Sequence, residues 1–300
     1  TLYNELPKEV NVVFLSKPSF YKYLPFFILK KLIKTDKTIK YDVAIDFSAY
    51  NNTFSAYTLN SNANKKVIWI HNDYKIKYKN EFKFRVLFNL SKSKYKNFDE
   101  IVAVSEGVKE SFKELTGLTA KKVIPNYINT DEILKKSEEK VDFHVDDDNI
   151  NFCFLGRLVY QKGLDLLFPI IKEYKENNEE FQLYIIGDGP LKDKLINQVE
   201  ELDLFDNITF LGAKKNPFPY LKKCDYLILN SRYEGQGMVA LEAKSLGLKV
   251  IMPERLNKYL NIDYIDINDL KGVKKFKKKT DKLEDYNSNI TEKINKLLGE

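Results

Sequence analysis

Short apolar runs alternate with longer stretches of helical period from one end of the chain to the other, and this alternation limits the fold more than any other feature. Consecutive parallel strands need a crossover long enough to carry a helix, so the pattern specifies an α/β protein whose parallel sheets are covered by helices. In the first half, strands are expected at 10–15, 42–47, 66–70, 100–104 and 122–124, with helices at 20–34, 52–61, 81–96, 106–115 and 130–140. The second half repeats the layout, with strands at 151–155, 181–186, 208–211, 226–229 and 249–252 and helices at 163–175, 191–202, 217–223 and 238–246. A lysine-rich, weakly patterned stretch at 270–285 precedes a closing helix at 290–298. Between the halves, 141–149 is polar and acidic and reads as a solvated linker. A chain of 300 residues holds two cores of ordinary size, which divides it into a first domain at 1–140, the linker, a second domain at 150–282 and a C-terminal helix within 283–300.

Hydrophobic residues make up 43% and charged residues 31% of the chain, a balance that suits a globular protein and excludes disordered and fibrous classes. No apolar run approaches the ~20 residues of a membrane-spanning helix. Cys153 and Cys224 lie in apolar runs outside any metal or redox spacing and are expected as reduced core thiols of a cytoplasmic protein. The net charge of +6 is carried by lysine, since only Arg85, Arg157, Arg232 and Arg255 are arginines. A guanidinium grips anions in a planar, two-pronged way that an ammonium does not, so each arginine is informative. Asp146-Asp147-Asp148 has the outline of a metal-binding string, but no further ligands accompany it and no metal site is expected.

The chemistry-bearing residues sit in turns that follow predicted strands, where ligands of open α/β sheets bind. Gly156-Arg157-Leu158-Val159-Tyr160-Gln161-Lys162-Gly163 follows one strand and opens a helix. Gly156 permits close approach of the backbone, Arg157 and Lys162 supply two cations, and a helix start adds partial positive charge. That set suits a diphosphate, and a solvated turn capped by glycine is the competing account. Gly187-Asp188-Gly189-Pro190 allows a tight turn against something flat, such as a nucleobase, or is simply a turn. The third string, Asn230-Ser231-Arg232-Tyr233-Glu234-Gly235-Gln236-Gly237-Met238-Val239-Ala240-Leu241-Glu242, is the most informative. Glu234 falls in the loop and Glu242 inside the helix, while Gly235 and Gly237 expose backbone N–H groups at the helix start. Sugar hydroxyls are natural partners for such glutamates; two salt-bridged surface carboxylates are the alternative.

In order and spacing, these three strings resemble those of the family-four retaining glycosyltransferases, which have the GT-B fold of two facing Rossmann-like domains. The likeness runs from about residue 10 to residue 250. It implies that Arg157 and Lys162 hold the donor diphosphate and stabilise the leaving group, that Glu242 binds ribose hydroxyls, and that Glu234 contacts the transferred sugar. Backbone amides of Gly235, Gln236, Gly237 and Met238 would touch sugar and phosphate, with Gly156, Gly187 and Gly189 also lining the donor site. In the first domain, His71 of Trp69-Ile70-His71-Asn72-Asp73 matches a family histidine near the donor sugar. Ser105 and Asn126 match cleft positions, and Arg232 is a further cleft candidate.

The implied activity is transfer of a hexose from a nucleotide-diphosphate sugar to a lipid-linked or polysaccharide acceptor in bacterial cell-surface glycan synthesis, with retention and without cofactor or metal. Two other readings remain open: a nucleotide-sugar epimerase of the same fold, and a non-catalytic nucleotide-sugar-binding or scaffolding subunit. The family opens with a strand and a glycine-rich loop that this sequence does not show. The segment 1–15 resembles the strand that normally comes third, so the leading β-α-β portion is expected to be missing and a sheet edge to be uncovered. Pro125-Asn126-Tyr127 stands where the family has Pro-Asn-Gly, which weakens the expected inter-domain contact there. Basic and aromatic residues interleave at 19–34 and 74–96, either as a contact with the inner face of the cell membrane or as core helices with a solvated lysine side. No nucleic-acid reading module is present in the sequence.

Overall fold

A computed structural model describes residues 8–14, 18–177 and 180–299. Two wholly parallel sheets form, each covered by helices, as the alternation requires. The first has the order β1 (Lys40–Asp46), β2 (Asn62–Ile70), β3 (Glu100–Ala103) and β4 (Lys122–Val123). Its helices are α1 (Phe26–Leu32), α2 (Asn52–Asn60), α3 (Tyr74–Asn80), α4 (Phe82–Ser91) and α5 (Glu106–Thr116), with α6 (Thr130–Ser137) leading out. The second sheet contains β5 (Ile150–Leu155), β6 (Phe181–Ile186), β7 (Ile208–Gly212), β8 (Tyr226–Ile228), β9 (Lys249–Met252) and β10 (Ile265–Asp266). They lie in the order β10-β9-β8-β5-β6-β7. Around them run α7 (Leu164–Asn177), α8 (Lys192–Glu201), α9 (Phe218–Lys223), α10 (Met238–Ser245), α11 (Asn257–Leu260) and α12 (Glu284–Leu298).

This second path matters for the site. The chain lays β6 and β7 on one side of β5, then returns to place β8 on the other, so strand order reverses between β5 and β8. In open α/β sheets such a reversal, at the carboxyl ends of the strands, is where ligands bind. The central strands are buried on both faces, which is why they read as unbroken apolar runs: the last four residues of β2 and of β6 are all buried.

Several features join the two lobes. α6 packs on α9 and α10, and α11 packs on α5. Gly107 of α5 lies so close to the Tyr259 ring that a β-carbon would approach it to 2.6 Å. The Tyr259 hydroxyl donates to Asp73 Oδ2 at 2.5 Å, and Asp73 Oδ1 caps α3 by accepting from Ile76 N. α12 returns to the first lobe, where Asn287 bonds both the N–H and the carbonyl of Ile128 at 3.2 and 2.8 Å. Lys65 of β2 donates to the Leu297 carbonyl at 2.7 Å.

Five expectations need correction. The helix anticipated at 20–34 is instead a 3-10 turn (Ser19–Tyr23) followed by α1. Pro25 lacks an N–H and forces the residue before it into extended backbone, and Leu24 has ψ 141°. The helix at 81–96 is α4 plus a 3-10 segment (Lys92–Asn97), and α3 forms before it because Asp73 supplies a cap. Residues 10–14 of the strand expected at 10–15 have no regular structure and residue 15 lies outside the described residues; among the described residues no strand pairs with 10–14, and a strand is not stable without its ladder. The linker is not wholly solvated, since Phe143 is buried between the rings of Tyr184 and Tyr220. The closing helix begins at Glu284, six residues before the expected 290. β1 is the outer strand of the described sheet, and Tyr41 and Ile45 on one of its faces are exposed, as is Phe47 just beyond it.

Candidate active site

Three turns meet at the reversal between β5 and β8, and glycines set how closely. A β-carbon on Gly187 would overlap the Gly156 carbonyl oxygen, and one on Gly163 would overlap that of Asn230. At Gly189 it would come within 2.5 Å of the Leu158 carbonyl. Hydrogen bonds then tie the turns: Gly156 N to Ile186 O at 3.0 Å, Leu158 N to Asp188 O at 2.9 Å, and Arg232 N to Gln161 O at 2.7 Å. Close approach at Gly187 and Gly189 is therefore approach to the 156–158 backbone, and these glycines shape the site by letting its walls touch.

On that frame the Lys162 ammonium meets Glu234 Oε1 at 2.7 Å, with side-chain exposures of 18% and 7%. Ser231 Oγ donates to the same carboxylate oxygen at 2.5 Å. Burial makes a lone charge costly, so each partner needs the other. Arg157, five residues before Lys162, is exposed and has no partner among the described residues. Glu242 stands one turn inside α10, half-buried and also without a partner among the described residues. Burial pushes its carboxyl above the usual range. α10 itself starts at Gly237, held in left-handed backbone (φ 67°), and no side chain caps its first turn.

Arg232 is placed differently from the expected cleft role. It grips Asp165 with two nitrogens at 2.8 and 2.7 Å and lies 3.8 Å over the Tyr160 ring. The guanidinium thereby fastens the 230–237 loop to α7 and is not open to a ligand.

The first lobe contributes from the ends of β2, β3 and β4. A β-carbon on Gly235 would overlap the His71 carbonyl oxygen, so this glycine is where the lobes touch backbone to backbone. The His71 ring lies tilted against Phe47, with ring centres 4.3 Å apart, and its Nε2 is buried without a partner among the described residues. Burial lowers its pKa to about 4, against a smaller opposing pull from Asp46, so the ring is neutral at pH 7. Ser105 Oγ caps α5 at Val108 N and donates to the Gly235 carbonyl at 2.7 Å. Asn126 gives Gln236 Oε1 two hydrogen bonds, at 2.6 Å from its N–H and 2.8 Å from Nδ2. The contact expected to weaken at Asn126 is thus made in full. The Gln236 side chain is taken up by Asn126 and Tyr286, which leaves its backbone amide as the group expected at the donor.

All the predicted first-lobe residues therefore border the Gly235–Gly237 turn, and Lys162 and Glu234 join as a pair. Sequence reasoning missed Asp165, Ser231, Tyr259 and Tyr286. Their partners lie as many as 186 residues away, and only Asp165, acidic at a helix start, gave a local hint.

Comparison with known proteins bears on the family and the fold. Residues 135–256 match the family described as Glycosyl transferases group 1, and residues 2–132 match Glycosyltransferase Family 4. With both lobes matched in succession and two parallel α/β sheets, the chain belongs to the glycosyltransferases of GT-B fold. It is 31% identical, over 83% of its own length and 65% of the relative's, to "Uncharacterized glycosyltransferase MJ1059" of Methanocaldococcus jannaschii. A second relative, from Campylobacter jejuni, is N-acetylgalactosamine-N,N'-diacetylbacillosaminyl-diphospho-undecaprenol 4-alpha-N-acetylgalactosaminyltransferase, 30% identical over 58% of this chain and 46% of the relative. Among solved structures, S. aureus TarM in complex with Fondaparinux, alpha-GlcNAc-glycerol and UDP superposes with a TM-score of 0.56 at 20% identity, covering 82% of this chain and 49% of that one. The chain thus spans less than two thirds of the length of the curated relatives it matches.

Proposed function

We propose that this protein transfers a hexose from a nucleotide-diphosphate sugar to a lipid-linked or polysaccharide acceptor in bacterial cell-surface glycan synthesis, with retention of anomeric configuration. The observation that carries the reading is the buried Lys162–Glu234 pair beside the open guanidinium turn and the uncapped start of α10. Arg157, Lys162 and the α10 N–H groups meet the charge that grows on the departing diphosphate. Glu234, held by Lys162 and Ser231, receives hydroxyls of the sugar being moved, and the partnerless carboxylate of Glu242 receives those of the ribose. The acceptor proton passes to the leaving phosphate, and this chemistry requires no metal. The UDP bound by TarM and the undecaprenol-linked substrate in the Campylobacter enzyme's name support the choice of donor and acceptor classes.

The same reading sets α1 and α4 against the inner face of the membrane. α1 buries Phe26 and Leu29 but presents Phe27 and Leu32, and α4 presents Phe82, Val86 and Leu90. Lys30, Lys31 and Lys83 flank them, a combination that suits an anionic lipid surface. Among the described residues no helix is long and apolar enough to cross a membrane.

Calorimetric titration with UDP-, GDP- and dTDP-sugars, followed by NMR of the anomeric proton in the product, tests the proposal. Glu242→Ala is expected to weaken nucleotide binding about tenfold, and Arg157→Ala to lower turnover about a hundredfold with a smaller change in binding. Binding without transfer would favour a non-catalytic sugar-nucleotide subunit, and unaltered kinetics in both variants would defeat the site.

A further inference from the structure

The Gly235–Gly237 turn is held from behind by a ring of hydrogen bonds that uses a residue of the C-terminal helix. Gln236 Oε1 accepts both the N–H and the Nδ2 of Asn126, at 2.6 and 2.8 Å. Gln236 Nε2 donates to the Tyr286 hydroxyl, and that hydroxyl donates to the Asn126 carbonyl at 3.1 Å. The circuit closes because the hydroxyl gives one bond and accepts another. Its members come from the end of β4, the loop before α10 and the first turn of α12. The Gln236 side chain is buried, and the ring opens onto a cavity of about 630 Å³ between the lobes, lined also by Ser105, Pro125 and Tyr259.

We infer that Tyr286 is a positioning residue for the donor site, acting with Asn126 through Gln236 on the turn that starts α10; this rests on the donor reading above. The α10 start has no side-chain cap, so the direction of its N–H groups depends on the backbone of that turn. Three restraints fix the turn from the first-lobe side: the Ser105 bond to the Gly235 carbonyl, the contact of Gly235 with the His71 carbonyl, and the ring through Gln236. Only the ring includes α12. Loss of the Tyr286 hydroxyl leaves Gln236 Nε2 and the Asn126 carbonyl without partners and lets the turn sample other conformations. No charge at the site changes. A ligand held by those N–H groups must then order them on binding, which lowers affinity.

Tyr286→Phe keeps the ring's apolar packing and removes the bond. Two measurements decide, both on the full chain: amide hydrogen exchange by mass spectrometry without ligand, and calorimetric titration with UDP. Exchange at 235–239 is expected to rise at least tenfold while β6 is unchanged. UDP affinity is expected to fall five- to twentyfold, with the donor KM rising and the acceptor KM constant. Asn126→Ala is expected to match it, and the double variant to add little, because either change opens the same circuit. Unchanged exchange at 235–239, or a UDP affinity within twofold of the parent, overturns the inference. A parent chain that binds no UDP, GDP or dTDP overturns the donor reading instead, and the exchange result still decides whether the ring fixes the turn.

Discussion

The two sheets are built from the same units yet place chemistry differently. The first grows in one direction, β1 to β4, and among the described residues has no reversal of strand order. It lends the site single residues from successive strand ends: His71, Ser105 and Asn126. The second reverses between β5 and β8, and three turns collapse on one another there through glycine contacts at Gly163, Gly187 and Gly189. Four of its charged groups are fastened in pairs, Lys162 to Glu234 and Arg232 to Asp165, while Arg157 and Glu242 stay open. A reversal thus provides a rigid, preorganised wall, while a one-way sheet provides a face to close against it. The lobes meet where Gly235 touches His71, and Gly235 is the hinge of the comparison.

The largest test of that contrast is a pair of alanines. Gly187→Ala forces a β-carbon into the Gly156 carbonyl inside one lobe and is expected to cost more than about 4 kcal/mol, read by chemical denaturation. Gly235→Ala forces one into the His71 carbonyl between lobes. It is expected to keep the circular dichroism of folded lobes while the radius of gyration in X-ray scattering increases. If both variants unfold alike, the distinction between wall and closing face is broken.

Lys162→Ala is next. It strands the Glu234 carboxylate in a buried site and is expected to lower stability by about 3 kcal/mol, with Glu234→Gln added to it restoring part of the loss. An additive double variant would show that the pair is not coupled.

The first lobe has its own charge-sensitive point in His71. Its folded pKa is about 4, below the ordinary 6.5. Between those values the unfolded chain binds a proton that the folded chain does not, so its contribution to stability is complete above pH 6.5 and is lost as pH falls toward 4. The loss is expected to approach about 3 kcal/mol, measured as denaturation midpoints across that range, and His71→Phe is expected to flatten the slope. The smallest effect belongs to Arg157→Ala. An exposed side chain without a partner should alter stability by no more than about 0.5 kcal/mol, and a larger change would mean that the second lobe depends on a group read here as open to ligand.

Much of this was legible beforehand because strands buried on both faces cannot hide. The runs at 151–155 and 181–186 lie within β5 and β6, and every turn singled out follows a strand. Local rules also explain two failures in the first lobe: Pro25 cuts a helix, and Asp73 starts one. Phe143 is another matter, because an aromatic residue in a polar linker gives no sign of which rings will enclose it.

By itself, then, the sequence determined the alternation that makes two parallel sheets and the glycine-rich turns that follow strands of the second, since backbone periodicity and glycine's freedom act over a few residues. Tertiary structure alone decided that Arg232 is tied to Asp165 and Lys162 to Glu234, and that Tyr286 closes a ring through Gln236 and Asn126. A hydrogen bond between residues 160 apart, such as Tyr286 to Asn126, depends on where whole helices come to rest. That placement is set by the packing of both cores together.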